Sequence, residues 1–159
     1  MKKFLSSAVV SVCLLLFAAP ALSKDIYSHV VLNLPFDLRT NGQWVKVIDN
    51  PKDWADFYES LRPALADYVP GYFSAPEIDF NNFVIVAGGL GYRNSGGDRL
   101  SIESVIDAGD RVYVSALAVS AGAGCAVTMA VTYPTVAIMI RKADKPISVF
   151  LGKAVSDCK

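Results

Sequence analysis

The second half of the sequence is a succession of short apolar runs separated by turn-forming residues. The runs "NFVIVAGG", "RLSIESVID", "RVYVSALAVS" and "PISVFLG" have the length and the β-branched content of strands. The second run alternates, with Leu100, Ile102 and Ile106 on one face. The turn "DAGD" predicts that the second and third runs pair as an antiparallel hairpin, on which Val112 and Val114 share a face. This density of strand signals favours a fold based on β-sheet.

Three further stretches read as strands. Residues 26–34 and "GQWVKVID" (42–49) are joined by "DLRTNG", whose Asn41-Gly42 pair is typical of a β-hairpin turn. The stretch "CAVTMAVTYPTVAIMIRK" predicts two strands broken at Tyr133-Pro134, because proline is excluded from the centre of a ladder. The sequence leaves open whether that peptide bond is cis or trans.

One segment has the signals of a helix, over about residues 51–62. Asn50 is a suitable N-cap, Pro51 suits the first helical position, and Asp53 places a carboxylate at the free amides of the first turn. Aromatic and aliphatic residues then recur at helical spacing and predict a stripe that faces the core. The stripe consists of Trp54, Phe57, Tyr58 and Leu61.

The prolines and glycine of residues 64–78 predict an irregular loop, in which the aromatic residues of 68–73 are a second candidate contact surface. A single helix followed by a run of strands predicts the α+β class, mainly antiparallel β. The expected architecture is a small β-rich single domain with the helix packed on the sheet.

The chain begins with the features of a secretory signal peptide. Lys2 and Lys3 precede an apolar run over 8–19, and small residues follow at Ala21 and Ser23. We therefore expect a signal peptide at 1–23, a single domain at 24–159, and a periplasmic or secreted protein. The apolar run is short for a membrane span and no second one follows, so we expect no membrane anchor after signal removal.

The charge balance argues against polyanionic partners. The full chain has 15 basic and 15 acidic residues, and removal of Lys2 and Lys3 would leave 13 basic residues. A nucleic-acid-binding protein would carry a basic excess on one face. We therefore predict no nucleic-acid binding.

Two cysteines, Cys125 and Cys158, remain after the expected processing. In an exported chain an even number of cysteines favours a disulfide. The two are far apart and lack cysteine or histidine neighbours with the spacing of a zinc site. We predict a Cys125–Cys158 disulfide and no metal site.

The stretch "VIVAGGLGYRNSGGDRLSI" contains a glycine-rich loop between two strands. Gly89 and Gly91 fit the start of a dinucleotide-binding fingerprint, but Asn94 stands at the third glycine position and the next element alternates as a strand. No cofactor is expected. The loop is either a mobile hairpin tip or a contact loop whose bare backbone lets a partner approach. Its candidate binding residues are Gly91, Tyr92, Arg93, Asn94, Ser95, Gly96 and Gly97.

Catalytic signals are sparse. His29 is the single histidine, and no Gly-x-Ser-x-Gly nucleophile elbow occurs. Asp107 and Asp110 flank a turn, where aspartate supports the backbone. The sequence predicts no enzyme, with a hydrolase built on His29 as a minor alternative.

Residues 76–150 resemble the carboxy-terminal domain of PrcB-type proteins, which are exported, protease-complex-associated proteins of bacteria. The resemblance rests on Asp79-Phe80, a glycine-bearing loop with the Gly96-Gly97 pair, and a Thr-x-Pro motif at Thr132 and Pro134. The sequence departs from the family pattern at Asp98, where an aromatic residue usually follows the glycine pair.

The resemblance implies an accessory or binding protein without catalytic residues, whose partner is a protease or another envelope component. A different possibility is a structural envelope protein that associates with itself through an exposed edge strand. Light scattering would distinguish self-association from binding to another protein.

Overall fold

A computed structural model describes residues 25–61 and 74–158. These residues contain eight strands and one helix, in the order β1 (Asp25–Ile26), β2 (His29–Val31), β3 (Trp44–Ile48), α1 (Pro51–Ser60), β4 (Phe83–Gly89), β5 (Arg99–Asp107), β6 (Val112–Ala121), β7 (Thr135–Arg141) and β8 (Ile147–Ser156). The strands form two four-stranded sheets. We call β1-β5-β6-β8 the outer sheet and β2-β7-β4-β3 the central sheet.

The two sheets face each other across an aliphatic core. Strands β4 and β7 of the central sheet contribute one side of this core, and β5 and β6 of the outer sheet contribute the other. Its buried members are Val84, Val86, Val105, Val112, Val114, Ile138 and Ile140. Valine and isoleucine suit this position because their branched side chains pack well on pleated strands.

The helix α1 covers the opposite face of the central sheet. Asn50 caps it, since its side-chain oxygen accepts a hydrogen bond from the Asp53 amide at 2.9 Å. The predicted stripe is buried, and it packs with Ile48, Ile85 and Ala87 of the central sheet. The prediction of the α+β class, mainly antiparallel, with one helix on the sheet, is therefore confirmed.

The predicted hairpin between residues 26–34 and 42–49 is wrong. Strand β2 pairs with β7 and β3 pairs with β4, so the two strands are not partners. A two-residue turn of the Asn-Gly type needs positive φ at its central residues. Among the described residues only Gly91 and Gly109 have positive φ, so Asn41-Gly42 does not form such a turn.

The "DAGD" turn is confirmed. Asp107 Oδ1 accepts a hydrogen bond from the Gly109 amide at 2.7 Å, and Gly109 has a φ of 90°. The hairpin strands β5 and β6 are antiparallel, as predicted.

One face assignment on β5 is wrong, because the register shifts between Ile102 and Ser104. The irregularity inserts one extra residue, so Val105 instead of Ile106 continues the inward face and is fully buried.

The stretch before Pro134 is not a strand, contrary to the prediction. Within residues 122–134 the only ladder contact is an isolated bridge between Arg93 and Thr132, and β7 begins at Thr135. The Tyr133–Pro134 bond is trans. The last strand, β8, is longer than predicted and pairs with β6 in parallel. The chain reaches it from β6 by passing through β7 of the central sheet.

Candidate functional site

The glycine loop connects β4 of the central sheet to β5 of the outer sheet. Hydrogen bonds attach it to two other parts of the chain: the Tyr92 amide donates to the Thr40 carbonyl at 2.8 Å, and the Gly96 amide donates to the Thr128 carbonyl at 2.9 Å. Between them, Arg93 exchanges two backbone hydrogen bonds with Thr132. The loop is therefore integrated into the fold at three points.

The glycines of this loop face the chain itself. Gly91 has a φ of +71°, and a Cβ atom there would lie 2.6 Å from the Gly42 carbonyl carbon. A Cβ at Gly97 would lie 2.6 Å from both Ala121 Cβ and Val127 Cγ1. Close packing against neighbouring segments explains these two glycines without a bound ligand.

The side chains of the loop point outward at its tip. Asn94 is exposed, and Tyr92 is exposed and contacts Tyr133 edge to face, with 6.1 Å between the ring centroids. The Arg93 guanidinium donates to the Tyr92 carbonyl at 2.8 Å. Any contact made by this loop would thus be made by tyrosine, arginine and asparagine side chains, beside the half-buried Ser95.

An apolar ridge lies next to the loop, on the segment that was predicted to be a strand. Val127, Met129 and Val131 are all exposed, and Met129 is 99% exposed. The sequence predicts a strand here, and the alternation of apolar residues is the signal that could have marked the ridge. No ladder of the described sheets includes this segment, so these side chains remain in solvent.

The predicted disulfide is confirmed. The sulfur atoms of Cys125 and Cys158 are 1.97 Å apart. Next to the bond, the Gly122 amide donates to the Ser156 carbonyl at 2.9 Å. The disulfide therefore ties the start of the ridge segment to the end of β8.

A cleft opens between β3, the edge of the central sheet, and β8, the edge of the outer sheet. It includes a cavity of about 250 Å³ between the sheets. We call this feature the edge cleft and define it by these residues: Val45 and Val47 of β3, Val149 and Leu151 of β8, and the floor residues Val86, Gly88, Val114 and Ala116. Val45 is 54% exposed although its side chain is on the face of the central sheet that is turned toward the outer sheet.

One end of the edge cleft is basic. A hollow shares Gln43 and Leu90 with the central cavity, and the charged residues in the described part of its lining are Arg93 and Lys153. The opposite end, where Val47 approaches Ile147, has mixed charge. The glycine loop reaches the cleft through Arg93.

A salt bridge between Lys145 and Asp107 lies at the turn end of the β5–β6 hairpin. Lys145 Nζ lies 2.7 and 2.6 Å from the two carboxylate oxygens of Asp107. Hydrogen bonding from Lys145, followed by the Gly109 amide, lowers the pKa of Asp107 from its usual value. The salt bridge therefore connects the end of β5 to the segment between β7 and β8.

The structure does not assemble a catalytic group around His29. The residue lies half-buried on β2 opposite Ile140. In the described part of the chain, no serine hydroxyl or carboxylate is in hydrogen-bond contact with its ring.

Residues 25–61 and 74–158 contain no cluster of three or more potential metal ligands. No helix there has the length and apolar character needed to cross a membrane. The predicted signal peptide (1–23) and the aromatic candidates at 68–73 lie outside the described residues.

Residues 84–141 match the family described as PrcB C-terminal. The match confirms the resemblance over β4 to β7, including the glycine loop and the ridge, and it covers somewhat more than a third of the chain. The family is not a known catalytic one. Comparison with the curated proteins and with the solved structures gave no significant match. Asp98, the departure from the family pattern, accepts a hydrogen bond from the Ser120 hydroxyl at 2.6 Å.

Proposed function

We propose that this protein is an exported, non-catalytic accessory protein that binds another protein of the cell envelope, with a protease as the first candidate. The match of residues 84–141 to the PrcB C-terminal family supports the protease. The glycine loop, through Tyr92, Arg93 and Asn94, and the adjacent ridge form the contact surface.

The ridge is the observation that carries this proposal. Three large apolar side chains, Val127, Met129 and Val131, stand exposed on one segment beside the exposed Tyr92. A contiguous exposed apolar patch on a folded protein typically marks an interaction site. Methionine suits such a surface because its flexible thioether adapts to the partner.

The surroundings of the ridge hold its backbone in place. The disulfide at Cys125 and the hydrogen bonds from the glycine loop to Thr128 and Thr132 order the segment. Such preorganisation reduces the entropy lost on binding. A segment fixed in this way suits recognition of a folded partner.

Export is supported by two features. The signal-like residues 1–23 favour secretion, and disulfides persist in oxidising compartments. Cell fractionation with amino-terminal sequencing of the mature protein tests this part. A cytoplasmic protein that keeps residues 1–23 would contradict it.

The binding surface is tested by affinity capture from periplasmic extract with tagged wild-type protein, followed by titration of the captured partner. Met129→Asp and Arg93→Ala are expected to weaken binding at least tenfold, because they place a charge in the apolar contact and remove the cation of the loop tip. Arg99→Ala is the matched control, since Arg99 is exposed at the start of β5.

Unfolding curves establish that each variant is folded. Equal binding by wild type, Met129→Asp and Arg93→Ala would rule out the loop and ridge as the contact surface. If the wild type captures no envelope protein, the accessory role itself is contradicted.

A further inference from the structure

We propose that the edge cleft accepts an extended peptide segment of the partner. In this arrangement the segment pairs with the free edge of β8, inserts alternate apolar side chains into the cleft, and directs an acidic group toward Arg93 and Lys153. The inference rests on the proposed function and specifies a mode of recognition for it.

The two walls of the cleft are sheet edges. Among residues 25–61 and 74–158, each of β3 and β8 has a hydrogen-bonded neighbour on one side only, β4 and β6 respectively. An edge strand presents unpaired N–H and C=O groups that pair readily with an added strand. The ten residues of β8 (Ile147–Ser156) offer the longer edge, with Lys153 as its single charge.

General sheet dimensions are compatible with such an insertion. Stacked sheets lie about 10 Å apart, and hydrogen-bonded strands lie about 4.8 Å apart. One strand therefore fits between edges that belong to two stacked sheets. A partner segment there would bridge the gap between β8 of the outer sheet and β3 of the central sheet.

The lining of the cleft predicts the side chains of the segment. The inward residues of β3 and β8 are valine and leucine, and the floor is valine, alanine and Gly88. At Gly88 the missing side chain enlarges the cavity. Because successive side chains of a strand point to opposite faces, we expect the segment to place apolar residues at every second position.

The free backbone of β8 favours a peptide over an acyl chain. A hydrocarbon would fill the cavity, but it has no groups that pair with exposed amides and carbonyls. A peptide satisfies the apolar floor and the polar edge together.

Charge favours another protein over a second copy of this chain. Arg93 and Lys153 are the charged residues that line one end of the cleft in the described part of the chain. The strand β8 contains no acidic residue either, so a second β8 would supply no counter-charge. A partner segment with an aspartate, a glutamate or a terminal carboxylate at that end would supply the counter-charge.

The first test is selection from a library of random ten-residue peptides on phage, with full-length oxidised protein as bait. Enriched peptides are expected to alternate apolar and polar residues and to carry an acidic residue near one end. A lack of enrichment, or enrichment of peptides without this pattern, would overturn the proposal.

The second test is titration of the most enriched peptide, made synthetically, into wild type and three variants. Gly88→Val fills the floor, and Lys153→Glu reverses the charge at the basic end. Each is expected to weaken binding at least tenfold. Arg99→Glu changes net charge equally at an exposed position of β5 and is expected to change binding less than twofold.

Three outcomes would refute the location. Peptide binding unchanged in folded Gly88→Val and Lys153→Glu would place the peptide elsewhere. A dimer seen by light scattering and dissolved by Gly88→Val would identify the occupant as a second copy. A lipid retained by the wild type in native mass spectrometry, and absent from Gly88→Val, would identify an acyl chain.

The same variants separate this inference from the proposed function. Capture of an envelope protein that Gly88→Val and Lys153→Glu do not weaken would leave the accessory role intact and refute the role of the cleft. Cleft-dependent peptide binding without capture of any envelope protein would support the acceptor site and contradict the accessory role.

Discussion

Two adjacent glycines at the end of β4 should respond in opposite ways to the same substitution. Gly88 faces the cleft, where an added Cβ would lie 3.4 Å from the Trp44 carbonyl oxygen and 3.8 Å from Val45 Cγ2, both ordinary contacts. Gly89 faces the helix, where an added Cβ would lie 2.7 Å from Cε2 of the Trp44 indole. One methyl group fits and the other overlaps a ring.

The expected free energies differ in sign. Replacing a strand glycine by alanine gains about 0.5–1 kcal/mol in backbone entropy, and burying one carbon adds at most about 0.8 kcal/mol. Gly88→Ala should therefore stabilise by about 1 kcal/mol. Overpacking costs about 1–3 kcal/mol, and the indole also packs on Phe57 at 5.8 Å. Gly89→Ala should therefore destabilise by about 1–2 kcal/mol, net of the entropy gain.

Urea unfolding followed by far-UV circular dichroism measures both effects. With a slope of about 2 kcal/mol/M, the midpoint should rise by about 0.5 M for Gly88→Ala and fall by about 0.5–1 M for Gly89→Ala. Gly124→Ala is the control, because no atom of the described residues lies within 4 Å of its added Cβ. If Gly88→Ala destabilises as much as Gly89→Ala, the assignment of the two faces of β4 is wrong.

The remaining predictions concern the disulfide and the salt bridge. Replacing Cys125 and Cys158 by serine opens a loop with a sequence separation of 33 residues. The free energy of unfolding, measured in urea, should therefore fall by about 3–4 kcal/mol. An unchanged free energy of unfolding would mean that the disulfide does not constrain the unfolded chain. Hydrogen bonding from Lys145 lowers the pKa of Asp107 in the folded protein. The Asp107–Lys145 salt bridge therefore stabilises the fold above the unfolded pKa of about 3.9, and this stabilisation is lost as pH falls through the folded pKa. Asp107→Asn should remove this acid-dependent loss, and equal pH slopes in variant and wild type between about pH 5 and about pH 2 would contradict it.

The sequence predicted the elements whose signals are local. The helix has a cap, a proline and an apolar stripe within one segment, and the β5–β6 hairpin has a turn with Gly109 at positive φ. Each of these signals acts between residues that are close in the chain. Short apolar runs rich in β-branched residues also located β4, β7 and β8.

Two of the errors concern interactions between distant residues. Residues 127–131 alternate like a strand, but no edge is paired with them, so they form the ridge instead. The parallel pairing of β8 with β6 depends on the path through β7, which no local pattern encodes.

The edge cleft was missed for a similar reason. Six strands line its central cavity, and the cleft is open because β3 and β8 end up as sheet edges. Val45 and Leu151 look like ordinary core residues in the sequence. The glycines of the loop suggested a contact loop in the sequence, whereas the structure explains Gly91 and Gly97 by close packing against neighbouring segments.

The alternation of the chain between sheets has a consequence for how the protein unfolds. From β4 onward the chain enters the outer sheet for β5 and β6, returns for β7, and leaves again for β8. Neither layer is a continuous piece of polypeptide, so neither can detach without pulling apart the other. Amide protons of both layers should therefore exchange through one shared global opening, and the many long-range pairings should make assembly slow for a protein of this size.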